Sequence, residues 1–501
     1  MDGISKSIEL YDLVIKNGSI VDGSGNEKFQ ADVGIKDGYI KKIGSINEVG
    51  KENIDASGLI VSPGFVDIHT HYDGQAVWDN QLTPSSIHGV TTAVMGNCGV
   101  GFAPCKEKDR LKLVELMEGV EDIPAPVMHE GLEWQWETFD EYLSALNKKN
   151  RDIDICALLP HAALRVYVMG DRAINHEKAT VEDMKKMREL TKEAVLAGAF
   201  GFSTSRTISH KSLKGEYTPT LRAHEDELTQ IALGMSDAGV GFMEIVSDWN
   251  EPDPETEFGV LRNIARASGR PIVFTCTQRH DRPTFWKDLM QMSLDAKKEG
   301  LSIRPVVPPR PIGLLFGLDG SQNPFSGTKT YKSLAHLPLD ERVRELKKDS
   351  IKEKILSEDR LKYSVFPLIH RISFSQMYRF GSPPDYNPRK EKSIEAMANQ
   401  EHRTPKDLAY DILLENQGKN FIYAPLVNYS NNTFDVCYEM LKDCGKEIGS
   451  IQIQNSGTIG GNLCNASPAA DSVPCLLALD ADVELSSIDK KRIIPLSKFI
   501  T

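Results

Sequence analysis

Apolar and polar residues alternate in two runs near the start of the chain, YDLVIKNGSIVDGSG (11–25) and ADVGIKDGYIKKIGS (31–45). Alternation with a period of two is typical of strands that bury one face of a sheet. The Asn-Gly, Asp-Gly and Gly-Ser pairs between the apolar positions are turn signals. The pattern therefore predicts a small β-sheet domain over residues 1–60.

A different pattern follows, in which short apolar runs alternate with amphipathic stretches such as VEDMKKMRELTKEAVLAG (181–198). Buried strands that alternate with amphipathic helices indicate βα units around a parallel sheet. Seven runs precede about residue 310, namely GLIVSPGFVDIHTH, GVTTAVMGNC, DIDICALLPHAALR, AGAFGFSTSR, GVGFMEIVSD, PIVFTCTQ and LSIRPVVPPR. This number favours an α/β fold of the (β/α)8 (TIM) barrel type over a short open sheet, and we predict the barrel over residues 61–443.

Composition and charge exclude several classes of protein. The 501 residues are 40% hydrophobic and 26% charged, which is ordinary for a globular protein. The net charge of −12 argues against nucleic acid or an anionic membrane as a partner. No apolar run approaches the roughly 20 residues that span a bilayer, and the first residues lack the apolar core of a signal peptide. We therefore expect a cytoplasmic protein, and leave its oligomeric state open.

The segment Val61–Cys105 carries the most chemistry. His69 and His71 end the first apolar run, and a two-residue step along a strand places both side chains on one face. The carboxyl ends of parallel barrel strands face the active site, and histidine is a common ligand of Zn²⁺. We predict that this pair binds zinc or another divalent metal. Cys98 ends the next run, and it is either a thiolate ligand or one more buried thiol among eight irregularly spaced cysteines.

Longer motifs around these residues resemble a known family. PGFVDIHTHYDGQ, GVTTAVMGNCGVGFAP, PHAALRVYVMG and AGAFGFSTSRT are similar to sequences of the amidohydrolase superfamily, in its D-aminoacylase (N-acyl-D-amino-acid deacylase) branch. The resemblance runs from about residue 10 to about residue 443. It implies the barrel predicted above, with a small β-sandwich formed by residues 1–60.

The resemblance also implies an activity, the hydrolysis of a non-peptide amide bond in a small molecule by metal-activated water. His69, His71 and Cys98 match the first metal ligands of the family. Arg165 and His161 end the third run, where they are expected to hold a substrate carboxylate, because a guanidinium binds carboxylates through two parallel hydrogen bonds. A structural ion pair is the alternative for Arg165.

The sequence departs from the family at the fifth and sixth strands, whose ends carry histidine ligands in D-aminoacylases. The corresponding ends here read EIVSD and VFTCTQ, so Asp248 and Cys276 are candidate substitutes. His210 follows the fourth run in a loop, and we interpret it as a solvated histidine. The motif that supplies the family's catalytic aspartate after the last strand is absent, so the catalytic residue is unknown.

The end of the chain resembles a different family. NSGTIGGNLCNASPAAD (455–471) is similar to the FAD-binding medium subunit of xanthine and carbon-monoxide dehydrogenases. Its Gly-rich turn offers backbone N–H groups that suit a pyrophosphate, and the residues of this turn are Thr458, Gly460, Gly461 and Asn462. A segment this short is too small to hold FAD alone. We expect no FAD, and interpret residues 444–501 as a foreign α+β fragment joined to a barrel that lacks its own eighth strand.

Three hypotheses follow. The chain is a metal-dependent amidohydrolase acting on N-acyl-D-amino acids, or an inactive amidohydrolase-like scaffold or chimeric gene product, or a flavin-binding electron-transfer module. The His69–His71 pair in its context favours the first. The absent aspartate favours the second, and the Gly-rich turn alone supports the third.

Overall fold

The structure is a computed structural model of the chain. It describes residues 11–24, 26–212, 214–221, 223–250, 253–308, 311–320, 322–358, 372–386, 388–429, 482–486 and 491–495. Two compact units make up the chain, and they divide between Phe65 and Val66 and again between Asp435 and Val436. None of the described helices is long and apolar enough to cross a membrane.

The smaller unit contains a five-stranded sheet, as the alternating pattern predicts. Its strands are β1 (Tyr11–Ile20), β2 (Phe29–Lys36), β3 (Tyr39–Gly44), β4 (Gly50–Asp55) and β5 (Ile60–Val61). The order is β3-β2-β1-β4, with β5 paired to the end of β1. Tyr11, Val14 and Ile46 form its buried core. The central strand β1 therefore organises this unit, since it pairs with three others.

The larger unit is built on a seven-stranded parallel sheet. Its strands are β6 (Phe65–Asp67), β7 (Val90–Met95), β8 (Asp154–Pro160), β9 (Gly201–Ser205), β10 (Phe242–Val246), β11 (Ile272–Thr275) and β12 (Ile303–Val306). They lie in chain order from β6 to β12, and the registered pairs are parallel. Each strand falls within one of the seven predicted runs. This confirms a barrel-type α/β fold whose described sheet stops at seven strands.

Helices connect these strands. Their bounds are α1 (Gln75–Trp78), α2 (Arg110–Glu121), α3 (Ala125–Gly131), α4 (Phe139–Asn147), α5 (His161–Met169), α6 (Asp171–Ile174), α7 (Val181–Ala197), α8 (Glu225–Ala238), α9 (Pro254–Ser268) and α10 (Phe285–Lys298). Helix α7 begins at a capping box, in which the Thr180 side chain accepts from the Asp183 amide and the Asp183 side chain accepts from Thr180. Its polar face stays exposed while Met187 and Ala194 are buried.

The described residues between 312 and 427 belong to the larger unit and have a hydrophobic core of their own. Strands β13 (Ile312–Gly317), β14 (Tyr378–Arg379) and β15 (Phe421–Val427) pair antiparallel in the order β13-β15-β14. The helices are α11 (Lys329–Leu334), α12 (Leu339–Leu346), α13 (Asp349–Ser357), α14 (Ile394–Gln400) and α15 (Pro405–Gly418). The sequence analysis did not predict this sheet.

Near the end of the chain, β16 (Asp482–Ser486) and β17 (Lys491–Pro495) pair antiparallel. The predicted pyrophosphate turn at Thr458, Gly460, Gly461 and Asn462 lies outside the described residues.

Candidate metal centre

Two parallel strands bring the three predicted ligands together. His69 and His71 follow β6 and Cys98 follows β7, so all three lie at the carboxyl end of the sheet. One donor atom from each residue lies within 4.8 Å of the other two. The Cys98 Sγ is 3.3 Å from the His69 Nε2, and the imidazole centroids of His69 and His71 are 5.5 Å apart. Two nitrogens and one sulfur therefore converge on one small volume.

The backbone of Cys98 adopts a left-handed conformation, with a φ of 55°, which non-glycine residues rarely occupy. Side chains from two inner strands hold this turn. The Cys98 N–H donates to the Glu244 Oε2 at 3.1 Å, and the Gly99 N–H donates to the Ser203 Oγ at 3.1 Å. A Cβ at Gly99 would approach the Thr204 Cα to 2.9 Å. The Asn-Cys-Gly sequence therefore presents the thiol because β9 and β10 anchor its amides.

Three carboxyl groups surround the donors, of which Asp73 and Glu244 are buried and Glu121 is half-buried. The Glu121 Oε2 lies 3.2 Å from the His71 Nε2, and the Glu244 Oε1 lies 3.9 Å from the His69 Nδ1. Asp73 accepts a hydrogen bond from the amide that precedes the Cys98 turn. Burial raises the pKa of Glu121 and of Asp73 to about 7 and that of Glu244 to about 8. Apart from His210, whose charge lowers the pKa of Glu121, no cationic side chain among the described residues offsets this effect of burial.

The nitrogen donors are neutral at pH 7. Burial lowers the pKa of His69 to about 3 and that of His71 to about 4. Neutral imidazole is the form of histidine that binds metals. Burial, followed by the charges of Glu121 and Glu244, raises the pKa of the Cys98 thiol well above its usual range. A nearby cation would oppose that shift.

His210 also belongs to this neighbourhood, which corrects its interpretation as a solvated loop histidine. Its side chain is half-buried, and its Nδ1 lies 2.9 Å from the Ser205 Oγ. Burial lowers its pKa to about 4, while the charge of Glu121 opposes that shift. The loop after β9 therefore folds back toward the donors, as sequence spacing alone did not reveal.

The residues present fit a divalent cation. The His71 Nδ1 and the Glu244 Oε1 are buried and have no hydrogen-bond partner among the described residues. A buried polar atom without a partner calls for an explanation, and a bound ion beside a cluster of nitrogen and sulfur donors is one. Two histidines and a cysteine match the nitrogen and sulfur ligands that zinc prefers. The surrounding carboxyl groups supply the negative potential that a cation would balance.

The two residues predicted to hold a substrate carboxylate lie in a buried hydrogen-bond network and are not members of the donor cluster. The His161 Nε2 lies 2.9 Å from the Glu227 Oε1, and the Arg165 Nε donates to the same oxygen at 2.8 Å. The remaining Arg165 nitrogens donate to the carbonyls of Ala173, Pro219 and Glu177. The N–H groups of the Arg165 guanidinium therefore already donate to acceptors of the protein. Its role in binding substrate stays a prediction.

The candidate substitutes for the family's later histidines are not members of the donor cluster. Asp248 is buried and accepts from the Asn250 side chain at 2.8 Å. Cys276 is fully buried, and burial raises the pKa of its thiol to about 12. Sequence analysis missed Glu121 and Glu244. Only Glu244 left a signal, because a charged residue in the middle of the apolar run FMEIV is unusual.

A cavity of about 560 Å³ opens at the same end of the sheet. Residues that follow β9, β10 and β11 line it, including His210, Ser247 and Thr277. Clefts at the carboxyl ends of barrel strands are the usual substrate sites of this architecture. His210 lines the cavity and lies near enough to His69 and His71 for their charges to lower its pKa, so the two features form one candidate site.

Residues 52–357, more than half of the chain, match the sequence profile of the amidohydrolase family. The chain belongs to this family. D-aminoacylase of Alcaligenes xylosoxydans xylosoxydans is 32% identical over 230 residues, which cover 46% of this amidohydrolase chain and 43% of that enzyme. N-acyl-D-aspartate deacylase of the same organism is 32% identical over 221 residues, covering 44% and 40%. The chain therefore matches less than half the length of either relative.

The fold is shared with a solved structure. N-acyl-D-glutamate deacylase of Bordetella bronchiseptica, crystallised with zinc and a phosphonate inhibitor, superimposes with a TM-score of 0.54 and 18% identity. The alignment covers 94% of this chain and 85% of that one. Residues 422–501 separately match an FAD-binding domain of molybdopterin dehydrogenases, which confirms the second resemblance.

Proposed function

We propose that this amidohydrolase is a metal-dependent hydrolase of non-peptide carbon–nitrogen bonds, and that its substrates are N-acyl-D-amino acids. The observation that carries the proposal is the convergence of His69, His71 and Cys98 at the carboxyl end of the sheet. The names of the two curated relatives support the substrate class. Zinc is the metal we propose, because the donor set is nitrogen and sulfur.

Different residues of the chain would bind the metal, position its ligands and bind the substrate. His69, His71 and Cys98 would hold the cation, which when bound acts as a Lewis acid toward water and the amide carbonyl. Glu244 keeps the Cys98 amide in place, and Glu121 orients His71 through its Oε2. Carboxylates that contact ligating histidines fix the ring orientation and the tautomer. The cavity beside His210 would receive the side chain or the acyl group of the substrate and shield it from bulk water.

Glu121 is the carboxylate that we assign in place of the family's absent aspartate. Glu244 and Asp73 each accept from a backbone amide, so part of their capacity is committed to the fold. The Glu121 Oε2 instead lies 3.2 Å from the His71 Nε2, and the Glu121 side chain also forms a hydrogen bond with the Cys98 thiol. This placement suits a group that positions a ligand and exchanges a proton with it.

An inactive scaffold that retains the metal is the alternative. It is favoured by the ends of β10 and β11, where Ser247 and Cys276 stand in place of histidines. A flavin function is not proposed, because its candidate turn at residues 458–462 lies outside the described part of the chain.

The test is turnover by the full-length protein. Release of free amino acid is measured for a panel of N-acyl-D-amino acids, with zinc added and after chelation. Zinc-dependent release supports the hydrolase. A folded, zinc-loaded protein that releases no amino acid from any member would leave the scaffold as the better account.

A further inference from the structure

The cavity beside the donors has mostly apolar walls. Val246, Leu426 and Val427 contribute aliphatic side chains, and Trp249 contributes an indole. The Trp249 Nε1 donates to the Thr275 carbonyl at 3.1 Å, so the polar atom of the indole is already bonded. The ring is therefore available to the cavity as apolar surface. Such walls stabilise an aliphatic or aromatic group through burial of its surface.

One polar atom in the wall points to a ligand. Ser247 is 3% exposed, lines the cavity, and its Oγ has no hydrogen-bond partner among the described residues. A buried hydroxyl without a partner is costly, so a bound molecule would gain by supplying one. A largely apolar cavity with a few polar contacts is the usual design of a small-molecule site.

The charges in the wall cancel each other. The Arg279 Nε and Nη2 donate to the two carboxylate oxygens of Asp281 at 2.9 and 2.8 Å, which is a bidentate fork. The Arg279 Nη1 donates to the Trp249 carbonyl and the Nη2 also to the Asn250 side chain. The guanidinium thus reaches the cavity with its charge paired and most of its N–H groups in use. A carboxylate entering the cavity would have to displace Asp281 or remain unpaired.

We infer that Asp281 sets the selectivity of this cavity: by occupying Arg279, it makes the cavity accept a neutral apolar group and reject an acidic one. The inference rests on the proposed hydrolase function, which it deepens by naming the substrate class. Burying an unpaired carboxylate beside another carboxylate is unfavourable, because charge repulsion adds to the loss of hydration. The favoured substrates are N-acyl-D-amino acids whose side chain or acyl group in this cavity is uncharged.

The experiment compares matched substrate pairs. One pair varies the side chain, N-acetyl-D-leucine against N-acetyl-D-glutamate, and the other varies the acyl group, hexanoyl-D-alanine against glutaryl-D-alanine. In the pair whose variable group enters the cavity, kcat/KM of the zinc-loaded wild type is expected to favour the neutral member by at least about tenfold. Asp281→Asn frees Arg279 and is expected to shrink that preference by at least about fivefold.

Asp288→Asn is the matched control. Asp288 is an exposed residue of α10, it does not line the cavity, and its replacement removes the same charge. The substrate preference of this variant is expected to equal that of the wild type. Asp281 is also largely exposed, at 57% of its side chain, so its replacement by asparagine should leave the fold intact.

The outcomes separate the inference from the function. Turnover that favours the acidic members, or an unchanged preference in Asp281→Asn, overturns the inference and leaves the hydrolase intact. Absence of turnover on every substrate overturns the hydrolase. In that case calorimetric Kd values for the same four compounds test the inference, which predicts tighter binding of a neutral member and a smaller difference in Asp281→Asn.

Discussion

Two clusters of the larger unit, one buried and one partly buried, combine histidine with carboxylate, and they differ in charge balance. In the first, the Glu227 carboxylate forms hydrogen bonds with the side chains of His161 and Arg165. These two partners outweigh the effect of burial and lower the pKa of Glu227 to about 2. In the second, Glu121 and Glu244 lie beside neutral histidines, and burial raises their pKa values to about 7 and about 8. The first cluster carries its own cation.

The comparison teaches which cluster is structural. A buried carboxylate that is paired internally with a cation holds elements together, and its charge is already balanced. Buried carboxylates without a cation cost stability unless an ion or a proton supplies the missing charge. Perturbed pKa values in a cleft are a mark of functional sites. We therefore propose that a divalent cation binds at the donor cluster, whereas the Glu227 cluster already contains its own counter-charge.

The largest expected effect comes from removing a donor. His69→Ala deletes one of three proposed ligands and is expected to lower kcat/KM by at least about 1,000-fold, because the cation loses its site. The zinc content of the purified variant, measured by atomic absorption, should fall with it. His129→Ala, at an exposed position of α3, is the control and should retain both the kcat/KM and the zinc content of the wild type. Full activity in His69→Ala would contradict the assignment.

A substitution in the Glu227 cluster should reduce the stability of the protein and leave its metal content unchanged. Glu227→Gln leaves the buried guanidinium of Arg165 without its anion and is expected to reduce the free energy of unfolding by about 3–5 kcal/mol. Urea denaturation measures the loss, while the zinc content of the folded variant should match the wild type. Glu189→Gln, at a half-exposed ion pair on α7, should change stability by less than about 0.5 kcal/mol. Loss of zinc in Glu227→Gln would erase the distinction between the clusters.

The same cluster predicts a pH dependence. The folded pKa of Glu227, about 2, is below its ordinary value of 4.5, so its contribution to stability is present above pH 4.5 and is lost as the pH falls toward 2. The difference in unfolding free energy between wild type and Glu227→Gln should therefore shrink over that interval, by up to about 3 kcal/mol. Denaturation curves at a series of acid pH values test this. A constant difference would contradict it.

A smaller effect is expected from the anchor of the Cys98 turn. Glu244→Leu removes the acceptor of the Cys98 amide and should weaken metal binding by about 10- to 100-fold. Glu244→Gln keeps an acceptor oxygen and should bind within about threefold of the wild type. Cobalt titration, followed through the thiolate-to-cobalt charge-transfer band, measures both affinities. Equal affinities in the two variants would show that Glu244 does not position the thiolate.

Much of the fold is predictable from the sequence because strand burial leaves a local pattern. Each of the seven apolar runs contains one strand of the parallel sheet, and the alternating opening forms the small sheet. The sheet of β13, β14 and β15 was not predicted. Its strands are separated by about 60 and 40 residues, and β14 has only two residues. Long-range pairing of short strands leaves no periodic signal.

The site is only partly predictable for the same reason. His69 and His71 share a strand end, so their spacing is informative. Glu121 ends helix α2 and reaches His71 only through the path of the chain in three dimensions. Arg165 is the opposite case. Its place after a strand suggested that it binds a substrate carboxylate, whereas in the fold its Nε donates to the carboxylate of Glu227. Spacing identifies residues on one element, and tertiary packing decides which others join them.

The most direct test of the central claim is a crystal structure of the zinc-soaked protein with anomalous data collected on both sides of the zinc absorption edge. The account predicts an anomalous peak bounded by the nitrogens of His69 and His71 and by the sulfur of Cys98, at ligand distances of about 2.0–2.3 Å. A fully ordered donor cluster without a zinc peak, or a peak ligated by other residues, would contradict it.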